Sequence, residues 1–444
     1  MGVCGLSLGS MFAGQSHAAT PTKIASKPPG FGKAKRCILL FMWGGPSHLD
    51  TWDLKPGAPV EVRGEFKPIS TSVPDIQISE HFPRLAKHAD KYAIIRSMTH
   101  DDPAHLSSVH ALMTGRLAPR PKSDAEPPSR RDWPQIGTFL GRLKPTESAL
   151  PSSVTLPWIV SHPAAPGGIA PGQHGGMLGA AHDPFVIDGD PNAAGFQVGG
   201  LALPGDLTRE RLDARRGLLK MIDGQQAKLQ PSDSDAFSKH QQRAIDLLAA
   251  RDTRGAFDLS RESPQTRERY GRNIHGQSVL MARRLAEAGV PLVCVNWHND
   301  GQNFWDTHGN NFARHKNDLM PPSDMAFSEL LEDLSQRGML DETLVVWVGE
   351  FGRRPHITAG NAGREHWPWC YSAVVAGGGV RGGQVFGRSD PQGLHPAGDP
   401  VSPGDLCATM YHALGISPEM MVNDREGRPV RLTEGDAVTG LFAS

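Results

Sequence analysis

Histidines and carboxylates gather directly after four apolar runs of this chain. Cys37 to Trp43 leads into Gly44-Gly45-Pro46-Ser47-His48-Leu49-Asp50, and Tyr92 to Met98 into Thr99-His100-Asp101-Asp102-Pro103-Ala104-His105. Pro291 to Trp297 is followed by His298-Asn299-Asp300 and Trp305-Asp306-Thr307-His308, and Thr343 to Val348 by Gly349-Glu350-Phe351-Gly352-Arg353-Arg354. Imidazole mixed with carboxylate suits zinc, manganese or iron, whereas an all-oxygen set would suit calcium or magnesium. Cys37, Cys294, Cys370 and Cys407 stand singly in apolar or aromatic surroundings, which reads as core and argues against a thiolate site. A divalent metal, zinc or manganese with calcium as the alternative, is therefore expected, as one ion or two. A pair of ions would clamp the oxygens of a phosphoryl or sulfuryl group. Arg353 and Arg354 offer planar guanidiniums that match an oxyanion, with a solvated structural pair as the competing reading.

These clusters need elements that bring them together. The runs Cys37 to Trp43, Tyr92 to Met98, Val154 to Val160, Pro291 to Trp297, Thr343 to Val348 and Tyr371 to Ala376 are continuously apolar, as in strands covered on both faces. Helical patterns lie between them: Phe82 to Ala89, Leu106 to Met113, Arg209 to Leu229, Ser238 to Ala250, Tyr270 to Ala288, Ser323 to Arg337 and Pro403 to Leu414. The order predicts an α/β three-layer sandwich with a predominantly parallel central sheet and helices on both faces. In such a sheet the carboxyl ends of parallel strands share one edge, where ligands bind. The clusters should converge there.

The 444 residues are read as one elaborated domain, 36–444, with a Pro/Gly-rich excursion at about 118–205. The first 19 residues look like the remnant of an export signal, with an apolar stretch from Gly5 to Gly14 and Ser16-His17-Ala18-Ala19 as a small-residue cleavage site; residues 20–35 form a linker. A net charge of −1 offers no field for nucleic acid. Beyond that start, no apolar run approaches the roughly 20 residues that span a bilayer.

The ensemble resembles the domain-of-unknown-function 1501 (DUF1501) family, a sulfatase-like branch of the alkaline phosphatase superfamily. The resemblance rests on Trp43-Gly44-Gly45-Pro46-Ser47-His48-Leu49-Asp50-Thr51-Trp52-Asp53, Leu112-Met113-Thr114-Gly115-Arg116, Trp305-Asp306-Thr307-His308, Gly349-Glu350-Phe351-Gly352-Arg353 and Gly363-Arg364-Glu365-His366-Trp367-Pro368. It implies an alkaline phosphatase-like fold and an exported protein, periplasmic or extracellular, frequently with a twin-arginine signal, which the start printed here does not contain. It also implies a metal-dependent hydrolase of sulfate or phosphate esters, acting on an anionic ester that a sulfated glycan would supply. A catalytically weakened glycan-binding relative is the alternative.

Carried over residue by residue, the resemblance makes Asp306, His308 and His366 the first metal position. Glu350 stands where the superfamily has Asp, and Phe351 replaces the usual His. The first strand runs into Trp43-Gly44-Gly45 instead of a metal-binding Asp, leaving His48 and Asp50 as displaced ligand candidates beside their plain reading as turn residues. Counting back from Leu112-Met113-Thr114-Gly115-Arg116 puts the nucleophile near His105, which is neither hydroxyl nor thiol. Ser107 and Ser108 lie just beyond it, as activated hydroxyls or as ordinary helix caps. His105 itself is a ligand, an acid-base group or a nucleophile. His105, Ser107 and Arg353 form the catalytic expectation.

Overall fold

The computed structural model describes residues 28–125, 127–145, 149–163, 168–199, 217, 255–298 and 304–443. The export-signal segment, most of the linker, and the expected helices Arg209 to Leu229 (Gly217 apart) and Ser238 to Ala250 lie outside the described residues.

Eight strands form the main sheet: β1 Arg36–Phe41, β2 Tyr92–Met98, β3 Ser153–Leu156, β4 Phe185–Val186, β5 Leu292–Asn296, β6 Thr343–Val348, β7 Tyr371–Ala376 and β8 Gln384–Phe386. Their spatial order is β8-β2-β7-β6-β1-β5-β3-β4. The pairs β1/β5, β1/β6, β3/β5, β3/β4 and β2/β8 are parallel. Only β7 runs against its neighbours, β2 and β6. The sheet is thus mixed but predominantly parallel, and every consecutive residue of β5, β6 and β7 is buried, so both faces are covered. Within the Pro/Gly-rich stretch, the strand expected at Val154 to Val160 is found as β3, and β4 is added beside it.

Six helices matter for the packing: α1 His105–Thr114, α2 Ile136–Leu143, α3 Pro264–Tyr270, α4 Ile274–Glu287, α5 Met320–Gln336 and α6 Pro403–Ala413. The periodicity predicts one helix from Tyr270 to Ala288. The structure breaks it at Gly271, whose φ of 98° lies outside helical space, and restarts it at Asn273, whose side chain accepts the Gly276 N–H. α5 is tied to the sheet by the Trp347 indole donating to Ser323 at 3.2 Å, and α6 lies on α1, where the Cys407 thiol donates to the Leu112 carbonyl at 3.0 Å. Cys37, Cys294, Cys370 and Cys407 are all free and buried.

Register sets the site. Phe41 of β1 pairs with Asn296 of β5 and Val348 of β6, so these strands end level. The reversal of β7 places the residues before it, not after it, at that edge, and His366 arrives five positions ahead of Tyr371.

Candidate metal centre

His105 is the first residue of α1. The cap position is Ala104, which has no side-chain acceptor, so carboxylates outside the helix serve the open N–H groups: Asp124 accepts from Leu106 at 2.9 Å and Asp102, two residues before the cap, from Ala104 at 3.0 Å. Asp306 and His308 lie in the loop after β5. That loop is held by Trp305 N–H donating to the Trp43 carbonyl at 3.0 Å and by Arg314 donating to the Asp306 carbonyl at 2.8 Å. His366 sits in a two-residue ladder opposite Arg353.

These elements focus three imidazoles on one carboxylate oxygen. Asp306 Oδ1 lies 3.0 Å from His308 Nε2, 3.2 Å from His366 Nε2 and 3.5 Å from His105 Nε2, and the two Nε2 atoms of His308 and His366 are 2.9 Å apart. Ligands about 2.0 to 2.1 Å from a tetrahedral zinc stand about 3.3 Å from one another, which is the spacing seen here. His105, Asp306 and His366 form the one group of three or more such donors among the described residues, with His308 beside it on the open side.

The far nitrogens settle the tautomers. His105 Nδ1 is 2.6 Å from Glu350 Oε1, His308 Nδ1 is 2.5 Å from Glu365 Oε2, and His366 Nδ1 is 2.8 Å from the Pro103 carbonyl. A carboxylate or a carbonyl only accepts, so each Nδ1 carries a hydrogen, and each Nε2, once free of its own proton, presents a lone pair beside Asp306. His105 Nε2 is buried with no hydrogen-bond partner, and without its proton it is an acceptor that a cation would satisfy. With neutral imidazoles, the carboxylates Asp306, Glu350 and Glu365 against the Arg353 guanidinium leave two negative charges, the complement of one divalent ion.

Burial alone would raise the Asp306 carboxyl; Arg353 and the three imidazoles overcome it and hold the group well below the usual carboxylate range. Burial likewise lowers His105, but Asp306 and Glu350 outweigh it and push the ring up to about 9. His366 is pulled down to about 4, chiefly by burial and by the charges of Arg353 and His105. His105 is therefore the donor that must release a proton before its Nε2 can serve a cation.

Other candidates lie apart from this donor group. Glu350 is fully buried behind His105 and also accepts the Gly44 N–H at 3.0 and 3.2 Å, so it orients a donor instead of joining the set. His48 Nε2 donates to the Gly393 carbonyl at 2.8 Å. Asp50 pairs with Arg364 at 2.8 Å and accepts from Asn311 at 2.9 Å. Arg353 is fully buried and donates to the Gly44, Gly45 and Arg364 carbonyls and to Asp306 Oδ1. Ser107 does not cap α1, whose cap position is Ala104. Its hydroxyl accepts the Ser123 N–H at 3.2 Å, and Ser108 donates to the Asp102 carbonyl at 2.9 Å. Phe351, where a histidine was expected, packs its ring 4.8 Å from His105 and 4.6 Å from His366. Glu365 and the Pro103 carbonyl escaped the sequence reading; the Glu-His dipeptide at 365–366 was the one available signal for the first, and a backbone acceptor leaves none.

Gly44 explains the glycine pair after β1. With φ at 106°, a Cβ there would meet the Asp306 backbone nitrogen at 2.3 Å and the Trp305 carbonyl carbon at 2.7 Å. Gly44→Ala is expected to push the Asp306 loop outward and to lower bound metal per chain while the sheet survives. Metal analysis beside a far-ultraviolet dichroism spectrum checks this, and undiminished metal content would refute it.

The family model for proteins of unknown function DUF1501 matches residues 34–442. The chain belongs to the DUF1501 family. No curated protein sequence matches this DUF1501 chain. Among solved structures it is similar to Ps i-CgsB, at 13% identity and a TM-score of 0.44 over 94% of this chain and 76% of that one. It is also similar to the PsFucS1 sulfatase from Pseudoalteromonas sp., at 12% identity and 0.40 over 94% and 72%. A protein in the alkaline phosphatase superfamily from Vibrio parahaemolyticus matches at 10% identity and 0.39 over 94% and 72%.

Proposed function

We propose that this DUF1501 protein is an exported hydrolase of sulfate or phosphate esters, built as one domain over residues 36–444 and dependent on a single zinc or manganese ion. The observation that carries the reading is the convergence of three oriented imidazole nitrogens on Asp306 Oδ1. Imidazole-rich donors favour a transition metal over calcium, which prefers an all-oxygen shell. His105, Asp306 and His366 would hold the ion, with His308 as the exposed fourth donor; Glu350, Glu365 and the Pro103 carbonyl aim the rings. The ion supplies the positive centre that polarises an anionic ester. A sulfated glycan is the proposed substrate class, and no described helix is long and apolar enough to cross a membrane.

One observation favours a second reading, a binding relative without turnover: Ser107 and Ser108, the hydroxyls expected to act as nucleophile, are engaged elsewhere, and no thiol joins the donor group among the described residues. The two readings separate on protein purified without a histidine tag. The hydrolase reading expects about one transition metal per chain and release of product from aryl sulfate or aryl phosphate, lost on chelation and restored by zinc or manganese. Metal without turnover of either ester supports the binding relative. Absence of metal even after dialysis against zinc, manganese and calcium overturns the metal reading.

A further inference from the structure

At the other end of α1 from His105 lies a second concave feature. Arg116 follows that helix, roughly 16 Å along its axis from His105 at 1.5 Å per residue. A cavity of about 680 Å³ opens there, walled on one side by Arg116, Arg131, Trp133 and Met177 and on the other by the hairpin of Met421–Asn423 and Pro429–Arg431. The volume is that of an ordinary small-molecule site.

Its lining is rich in donors and poor in free acceptors. The Arg116 guanidinium lies 4.0 Å over the Trp133 ring, fixed by a hydrogen bond from its Nη2 to the Arg431 carbonyl. Arg116 Nε and Trp133 Nε1 are buried donors with no hydrogen-bond partner. Arg131 and Arg425 are exposed at the rim, and no carboxylate is paired with either among the described residues. The two rim carboxylates are spoken for. Asp424 accepts from the Arg428 guanidinium at 2.7 Å and from the Glu426 and Arg428 backbone N–H groups, and Glu426 meets Arg428 at 3.3 Å. Glu434 reaches Arg116 only at 3.5 Å. Unpaired guanidinium charge at the rim, over a lining whose carboxylates are already engaged, calls for a ligand that accepts hydrogen bonds and carries negative charge, as an oxyanion does.

We propose that this cavity is an oxyanion-binding site, taking a sulfate, carboxylate or phosphate group of an anionic ligand. The site is distinct from the metal centre and shares no residue with it. The test is calorimetric titration at low ionic strength with four probes: inorganic sulfate, inorganic phosphate, a sulfated tetrasaccharide and its unsulfated counterpart. Three proteins are compared: wild type, Arg131→Ala/Arg425→Ala, and His366→Ala. At least one anion is expected to bind wild type, about tenfold or more weaker to the arginine double variant, and unchanged to His366→Ala; the unsulfated sugar should give no heat. Which anion binds tells a free ion from an ester group on a sugar. Both arginines are exposed, so the double variant should keep the wild-type melting temperature. The proposal is overturned if wild type binds no anion, if the double variant binds as tightly as wild type, or if binding disappears in His366→Ala, which would put the anion at the metal centre.

Discussion

Replacing His366 by alanine is expected to empty the metal centre and abolish ester turnover. The substitution removes a donor 3.2 Å from Asp306 Oδ1 and 2.9 Å from His308 Nε2, leaving the carboxylate to Arg353, to the exposed His308 and to the more distant His105. Loss of an orienting partner such as Glu350 or Glu365 costs roughly 10- to 100-fold in metal affinity, and loss of a donor should exceed that. The companion variant is Ser107→Ala. Among the described residues its hydroxyl receives the Ser123 N–H at 3.2 Å and is no member of the donor group, so both metal and activity should survive. Metal analysis and aryl ester assays on both proteins decide the matter. Metal retained in His366→Ala would sink the donor assignment. Activity lost with metal retained in Ser107→Ala would instead make that hydroxyl the nucleophile.

The second large effect is on stability. Arg364→Met strands the Asp50 carboxylate, since both partners are fully buried and joined through Arg364 Nε at 2.8 Å and Nη2 at 3.2 Å. Removing one partner of such a pair costs about 3 to 5 kcal/mol, more than most surface changes. Adding Asp50→Asn should recover part of the loss, because the uncompensated charge goes with it. The pH dependence carries a sign. Burial raises the Asp50 carboxyl, but Arg364 and His315 outweigh it and hold the folded value below the ordinary one. The stabilisation from ionised Asp50 is therefore present above the unfolded carboxylate value of about 4 and fades as pH falls through the lower folded value. In Arg364→Met that dependence should shrink or reverse. Thermal unfolding at pH 7 and pH 3 reads both effects, and equal melting temperatures for wild type and Arg364→Met at pH 7 would refute the first.

Apolar runs made the central strands legible. Tyr92 to Met98, Thr343 to Val348 and Tyr371 to Ala376 coincide with β2, β6 and β7 because each is a buried stretch that no other element type would carry at that length. β4 and β8, two and three residues long and only partly buried, leave no such trace. Strand direction is likewise invisible in hydropathy, so the reversal of β7 had to come from the structure. At the site, residue type and position after a strand were enough to pick out Asp306, His308 and His105 as candidates, whereas His366, which precedes β7, was reached through the family resemblance. They were not enough to separate a donor from what stands behind it, because Glu350 and Asp306 are both carboxylates after strands. Only distance places one beside His105 Nδ1 and the other before three Nε2 atoms.

The connection from β6 to β7 never crosses the sheet, and that has a bearing on how the chain reaches its native state. Because β7 runs backwards, Glu350, Arg353, Arg364, Glu365 and His366 lie on one stretch that begins and ends at the same edge. The His308 to His366 contact closes 58 residues, whereas His105 to Glu350 closes 245. By loop-closure entropy the longer closure costs about 1.3 kcal/mol more. The C-terminal half of the centre is thus favoured to assemble first, with α1 docking its histidine onto a partly formed cradle as a late folding event.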